Sequence, residues 1–181
     1  MKNNAGFTLI EIIAVLVLVG ILSAMAGFGL VQGVEGYLFA KNNAATTQKA
    51  QLALERISRE LAELSAIDST SSGTAIIFSN PAGSRKIGLA GSTIKWAAGS
   101  TLLPVGDILI EDVYGTNGFT VKYYDANNTE PGVASFSADP KQLARIDVTL
   151  LLARPDVTGG HLDFSTSVTP RNTGTKAAPT L

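Results

Sequence analysis

The 181-residue chain has no cysteine, one histidine, one tryptophan and no proline before Pro81. Without cysteine there is no disulfide framework, no iron–sulfur cluster and no thiolate zinc site. His161 is the single imidazole, so a zinc site that needs two or three within one chain is excluded as well. Charge is also scarce, at 16% of residues against roughly 25% in an ordinary domain. Fourteen Lys+Arg oppose 15 Asp+Glu, a net charge of −1. No basic excess is available to neutralise phosphates, so no nucleic acid is expected as a partner. The chain holds no Gly-x-Ser-x-Gly, no phosphate loop and no dinucleotide fingerprint. Neither a catalytic residue nor a metal or cofactor is expected. The lack of cysteine leaves the compartment open.

What the chain has in excess is apolar sequence, with a mean hydropathy of +0.24. The excess is local. Ile12 to Val31 form an uncharged run whose one polar side chain is Ser23. A surface helix needs a polar face, and this run has none. Twenty residues at 1.5 Å each give about 30 Å, the thickness of a bilayer's hydrocarbon core. A membrane span is therefore expected. Lys2 is the only basic residue before it and Glu35 the first charge after it. This weak asymmetry favours a cytoplasmic amino end.

Glu11 sits at the edge of the run. A carboxylate at mid-bilayer costs about 2.5–3.5 kcal/mol on insertion scales, and less near the interface. Intramembrane acids call for a partner, and no Lys or Arg lies within helical reach. The partner must come from elsewhere or be a terminal amine. The alternative is a Glu that snorkels to the interface.

The residues around it, Ala5-Gly6-Phe7-Thr8-Leu9-Ile10-Glu11, resemble the signal of prepilins, the precursors of type IV pilins and type II secretion pseudopilins. The resemblance implies cleavage by a prepilin peptidase between Gly6 and Phe7, and N-methylation of Phe7. It implies that Glu11 pairs with the amine of a neighbouring subunit and sets its register. Opposite charges attract strongly in low dielectric, which offsets desolvation when the geometry is good. Implied partners are the peptidase, other pilins or pseudopilins through their N-terminal helices, the inner-membrane assembly platform and the lipid bilayer. The implied location is the inner membrane, single-pass, with the head in the periplasm, and then the assembled filament. A competing signal is Ala24-Met25-Ala26, a pattern signal peptidase I cuts. Cleavage after Ala26 would release a secreted periplasmic binding module. The poor n-region, Glu11 and the apolar run continuing past the site oppose it.

From Gly33 to Ile67 the composition favours helix. Thr47, Ala50, Leu54, Ile57, Leu61 and Leu64 recur every three or four residues, an apolar stripe wide enough to pack on a sheet. One helix of roughly 90 Å from Phe7 to Ile67 is therefore expected. Gly20, Gly27, Gly29, Gly33 and Gly36 are its weak point. They serve close helix approach, permit bending at the membrane exit, or are simply tolerated.

After the polar break Asp68–Gly73, short strands are expected over 74–79, 86–90, 93–97, 119–124, 144–153 and 161–168. Gly91-Ser92 reads as a tight turn, and Ile146, Val148, Leu150 and Leu152 as inward-facing. Residues 169–181 read as a disordered tail. The fold class is thus α+β and pilin-like, a long N-terminal helix on an antiparallel sheet. Its segments are a leader 1–6, a span 7–31, an amphipathic continuation 32–67, a head 68–168 and the tail. The helix segment Gln51–Leu61 and the patterns Phe119–Asp125 and Arg145–Leu150 resemble those of pseudopilin J and minor pilin W. That resemblance implies a minor subunit that initiates or caps a type IV pilus or a type II secretion pseudopilus.

Three further features read as ordinary surface or core. Asp125–Glu130 offers oxygen ligands but lacks the glycine and spacing of a twelve-residue calcium loop, so an Asx turn is expected. Trp96 is expected to pack on the sheet, and His161 to start a strand.

Overall fold

The computed structural model describes residues 8–99, 105–154 and 159–173. Helix α1 spans Leu9–Ala62. The chain divides into two units, Met1–Asn43 and Ala44–Leu181, and α1 contributes residues to both.

In the first unit, α1 is exposed all round. Its Leu, Ile, Val and Phe side chains stand in the open from Leu9 to Phe39, and none of the most apolar stretch is buried. The helix forms because no proline interrupts it, and its Leu and Ala favour the conformation while its many Ile and Val are weaker helix formers. The five glycines do not break it. A Cβ placed at any of them would meet nothing within 4 Å.

In the second unit, α1 is amphipathic. Ala50, Ala53, Leu54, Ile57 and Leu61 are buried, followed by Leu64 beyond the helix end. Thr47, assigned to the stripe, is only half-buried, and Ala53 joins it. The stripe packs with side chains from two antiparallel sheets in one core. The first sheet is a meander of β1 (Ala66–Ile67), β2 (Ala75–Asn80), β3 (Gly83–Ala90), β4 (Thr93–Ala98) and β5 (Asp107–Ile110), in that order. The second holds β6 (Phe119–Tyr124), β7 (Arg145–Ala153) and β8 (His161–Val168), also in that order.

Alternation sets which face is buried. Phe119, Val121 and Tyr123 of β6 face inward with Ile146, Val148, Leu150 and Leu152 of β7. Burial pushes the Tyr123 phenol up. Ala90 pairs with Thr93 across Gly91-Ser92. Gly91 has φ +66°, which a two-residue hairpin turn requires and a side chain resists. Residues 112–114 join the sheets: the Val113 amide donates to the Ser92 carbonyl, and the Tyr114 amide to the Leu151 carbonyl.

Besides Thr47, the structure differs from the sequence reading at the helix end, in the segment after β8 and in two further elements. The helix ends at Ala62, five residues before the expected Ile67. Ala66 and Ile67 pair instead with Ser79 and Phe78, and the Ser65 amide donates to the Ser79 carbonyl. Residues 169–173, expected to be disordered, cap that helix end. The Arg171 amide donates to the Ala62 carbonyl at 2.9 Å and the Asn172 side chain to the Glu63 carbonyl at 3.1 Å. Thr173 is buried, with its hydroxyl donating to the Leu143 carbonyl. The rest of the expected tail lies outside the described residues. Strand β5 and the short helix α2 (Val133–Ala138) were not anticipated. Phe136 of α2 is fully buried, 6.5 Å from the Tyr123 ring.

Candidate functional site

The site begins where α1 begins. Thr8 precedes the helix, and its carbonyl accepts from the amides of Glu11 at 3.1 Å and Ile12 at 3.3 Å. Its hydroxyl accepts from the Glu11 amide at 3.4 Å. Thr8 therefore satisfies an amide that the first turn of a helix leaves without a partner. Thr8-Leu9-Ile10-Glu11 has the spacing of a capping box, a Thr with an acid three residues on. The sequence carries that signal in the same letters as the prepilin motif.

Glu11 lies in the first turn of α1 and is exposed. A carboxylate there opposes the positive end of the helix dipole, worth about 0.3–1 kcal/mol when exposed. Glu11, Ile12, Val15 and Leu16 line an open depression on the helix surface. Glu11 is the only charged residue from Thr8 to Val34. No cation reaches it among the described residues. Gly6 and Phe7 lie outside the described residues.

The remaining candidates are structural. The Asp125 carboxylate accepts from the amides of Asn127 at 2.9 Å and Thr129 at 2.8 Å, and from the Thr129 hydroxyl at 2.6 Å. Those donors hold its pKa below the usual carboxylate range, the Thr129 hydroxyl most of all. This is the Asx turn read from the sequence, with Asn128 at φ +62°. Asp68 makes a similar turn with Thr70, whose hydroxyl and amide lower its pKa. His161 starts β8, stacks on Tyr114 and approaches the Asp163 carboxylate at 3.3 Å. No cluster of three His, Asp or Glu is placed to hold a metal among the described residues.

Residues 1–30 match the family model of the prokaryotic N-terminal methylation motif. Neither the curated proteins nor the solved structures gave a match. The motif runs into a long apolar helix, and antiparallel sheets follow: the architecture is α+β and pilin-like. Together these support a pilin- or pseudopilin-type subunit anchored in a membrane by a single pass. The motif implies processing by a prepilin peptidase and assembly with other pilins. Helix α1 runs unbroken through Ala24-Met25-Ala26. Release of a secreted module after Ala26 is not favoured.

Proposed function

We propose that the chain is a minor pilin or pseudopilin, a structural subunit that helps to initiate or cap a type IV pilus or type II secretion pseudopilus. The observation that carries this reading is a methylation motif leading directly into an exposed apolar helical stretch in which Glu11 is the one charge as far as Val34. In this reading residues 1–6 are a cytoplasmic leader. The prepilin peptidase cuts between Gly6 and Phe7 and methylates the Phe7 amine. Residues 7–31 span the inner membrane, and the unit carrying the sheets stands in the periplasm. Glu11 meets the methylated amine of a neighbour, and this ion pair fixes how far one helix slides along the next. The apolar surface that faces lipid before assembly then faces sister helices. The resemblance of the helix and strands to pseudopilin J and minor pilin W supports the minor role.

The deciding measurement is the mass and first residue of the membrane-extracted protein. A start at Phe7 with one added methyl supports the reading, and a start at Gly27 overturns it. The minor role is tested by stoichiometry in sheared filaments: far fewer copies than the main subunit are expected, and equal copies refute it.

A further inference from the structure

Exposed apolar surface on α1 does not stop where the expected span stops. It continues past Val31 through Val34, Tyr37, Leu38 and Phe39. From Leu9 to Phe39 the helix rises about 45 Å at 1.5 Å per residue. A hydrocarbon core is about 30 Å thick, and about 40–45 Å with its headgroup layers. The last apolar turns therefore outrun the hydrocarbon on the side of the membrane away from the amino end.

Helical spacing sorts these turns into faces. Leu30, Val34, Tyr37, Leu38 and Lys41 stand at i, i+4, i+7, i+8 and i+11, on one side of α1. All five are exposed. Glu35 lies off this stripe and the next acid is Glu55, so no carboxylate is within helical reach of Lys41. The stripe passes from aliphatic Leu30 and Val34 through a phenol to an ammonium, in the direction in which a bilayer passes from hydrocarbon to phosphate. Tyrosine suits that boundary because its ring is apolar and its tip polar. Side chains of an α-helix also lean toward its amino end. That end is the membrane side here, so Tyr37 and Lys41 lean back toward lipid, as snorkelling residues do. With Glu11 at one edge of the core and a tilt of roughly 20°, Tyr37 stands about 37 Å away along the membrane normal, within reach of the opposite headgroups. A second helix would be met elsewhere. Close approach in lipid uses small residues, and Gly29, Gly33 and Gly36 lie together on another side, at i, i+4 and i+7.

We propose that Val34, Tyr37, Leu38 and Lys41 form a headgroup anchor, bound by phospholipid where the helix leaves the membrane. Val34 and Leu38 lie against the boundary of acyl chains and headgroups. The Tyr37 phenol meets headgroup oxygens, and the Lys41 ammonium meets the phosphate. The anchor fixes the depth of the helix in the bilayer. It rests on the membrane span alone and holds whichever filament the chain joins.

The chain has no cysteine, so a single introduced one carries a spin label at a known place. The full chain, labelled at Val34→Cys, is reconstituted at low density in vesicles of phosphatidylethanolamine and phosphatidylglycerol. Leu22→Cys supplies the mid-bilayer reference. Depth is read from the label's collisions with oxygen, which concentrates in lipid, and with a water-soluble nickel chelate. With Tyr37 and Lys41 in place, the label is expected on the lipid side of the phosphates. Tyr37→Ser together with Lys41→Glu should move it outward by about 3 Å, two residues' rise. Tyr37→Trp together with Lys41→Arg should leave it in place. Dominant nickel collisions with Tyr37 and Lys41 present overturn the proposal, because the stripe then stands in water. Few collisions with either reagent overturn it too, because protein then covers the stripe. So does a depth that Tyr37→Ser with Lys41→Glu leaves unchanged, or that the conservative pair shifts as far.

Discussion

The Glu11 amide donates to the Thr8 hydroxyl at 3.4 Å and to the Thr8 carbonyl at 3.1 Å. The residue singled out for filament assembly is therefore also part of the start of its own helix. Its backbone and its carboxylate have separable jobs. Glu11→Gln keeps the amide and removes the charge, so the helix start should survive and filament incorporation should fall. Thr8→Ala should do the reverse, costing the helix end about 0.5–2 kcal/mol. Hydrogen exchange at residues 9–12, alongside filament content, distinguishes them. Normal incorporation of Glu11→Gln refutes the pairing role.

The core should be most sensitive where the helix stripe is fully enclosed. Ile57 and Leu61 have no exposed surface. Either one changed to Ala should destabilise the head by about 2–5 kcal/mol, lost burial plus a cavity. Leu52→Ala, on the exposed side, should leave the thermal midpoint nearly unchanged. Circular dichroism of the detergent-solubilised chain reads all three.

The short segment after β8 should matter more than its composition promises. Deleting residues 171–181 removes the groups that cap the carbonyls of Ala62 and Glu63 and the buried Thr173. Deleting only 174–181 keeps them. The longer deletion should lower stability by about 1–3 kcal/mol relative to the shorter one, from buried polar groups left without partners. Equal midpoints for the two truncations would sink this assignment.

Acid should weaken the head through Asp68 and Asp125. Both carboxylates are held below their ordinary pKa by Thr hydroxyl and backbone donors. A depressed folded-state pKa contributes stability that is present above the unfolded value, about 3.9, and is lost as pH falls through the folded value. The midpoint should therefore fall on acidification below about pH 4. Asp125→Asn should flatten that fall, and an unchanged slope in that variant would refute the attribution.

The head's periodic elements were open to reading because their signals are local. Residues of β7 alternate inward and outward, and Ile146 to Leu152 are buried as that alternation requires. Gly91-Ser92 closes its hairpin because only a residue free of a Cβ sits easily at that φ. The membrane helix follows from an uncharged run, and the capping spacing of Thr8 and Glu11 stood in the same few letters as the cleavage motif. What was misread depends on partners far along the chain. Ala62–Ile67 has helix-forming composition, yet Ala66 and Ile67 pair with Phe78 and Ser79 and the helix stops.

The sequence by itself determined the apolar run, the motif, the amphipathic stripe and most strands, because each is written in neighbouring residues: an uncharged run, a short signature, or a repeat of two, three or four. Only the tertiary structure decided where α1 ends, that Arg171 and Asn172 hold that end, and that β5 closes its sheet with Leu52 and Ile108 exposed beside Arg56. Those outcomes turn on contacts between residues as distant as Asn172 and Glu63, 109 positions apart. No local pattern encodes such a pairing, because its free energy exists only once the intervening chain has folded.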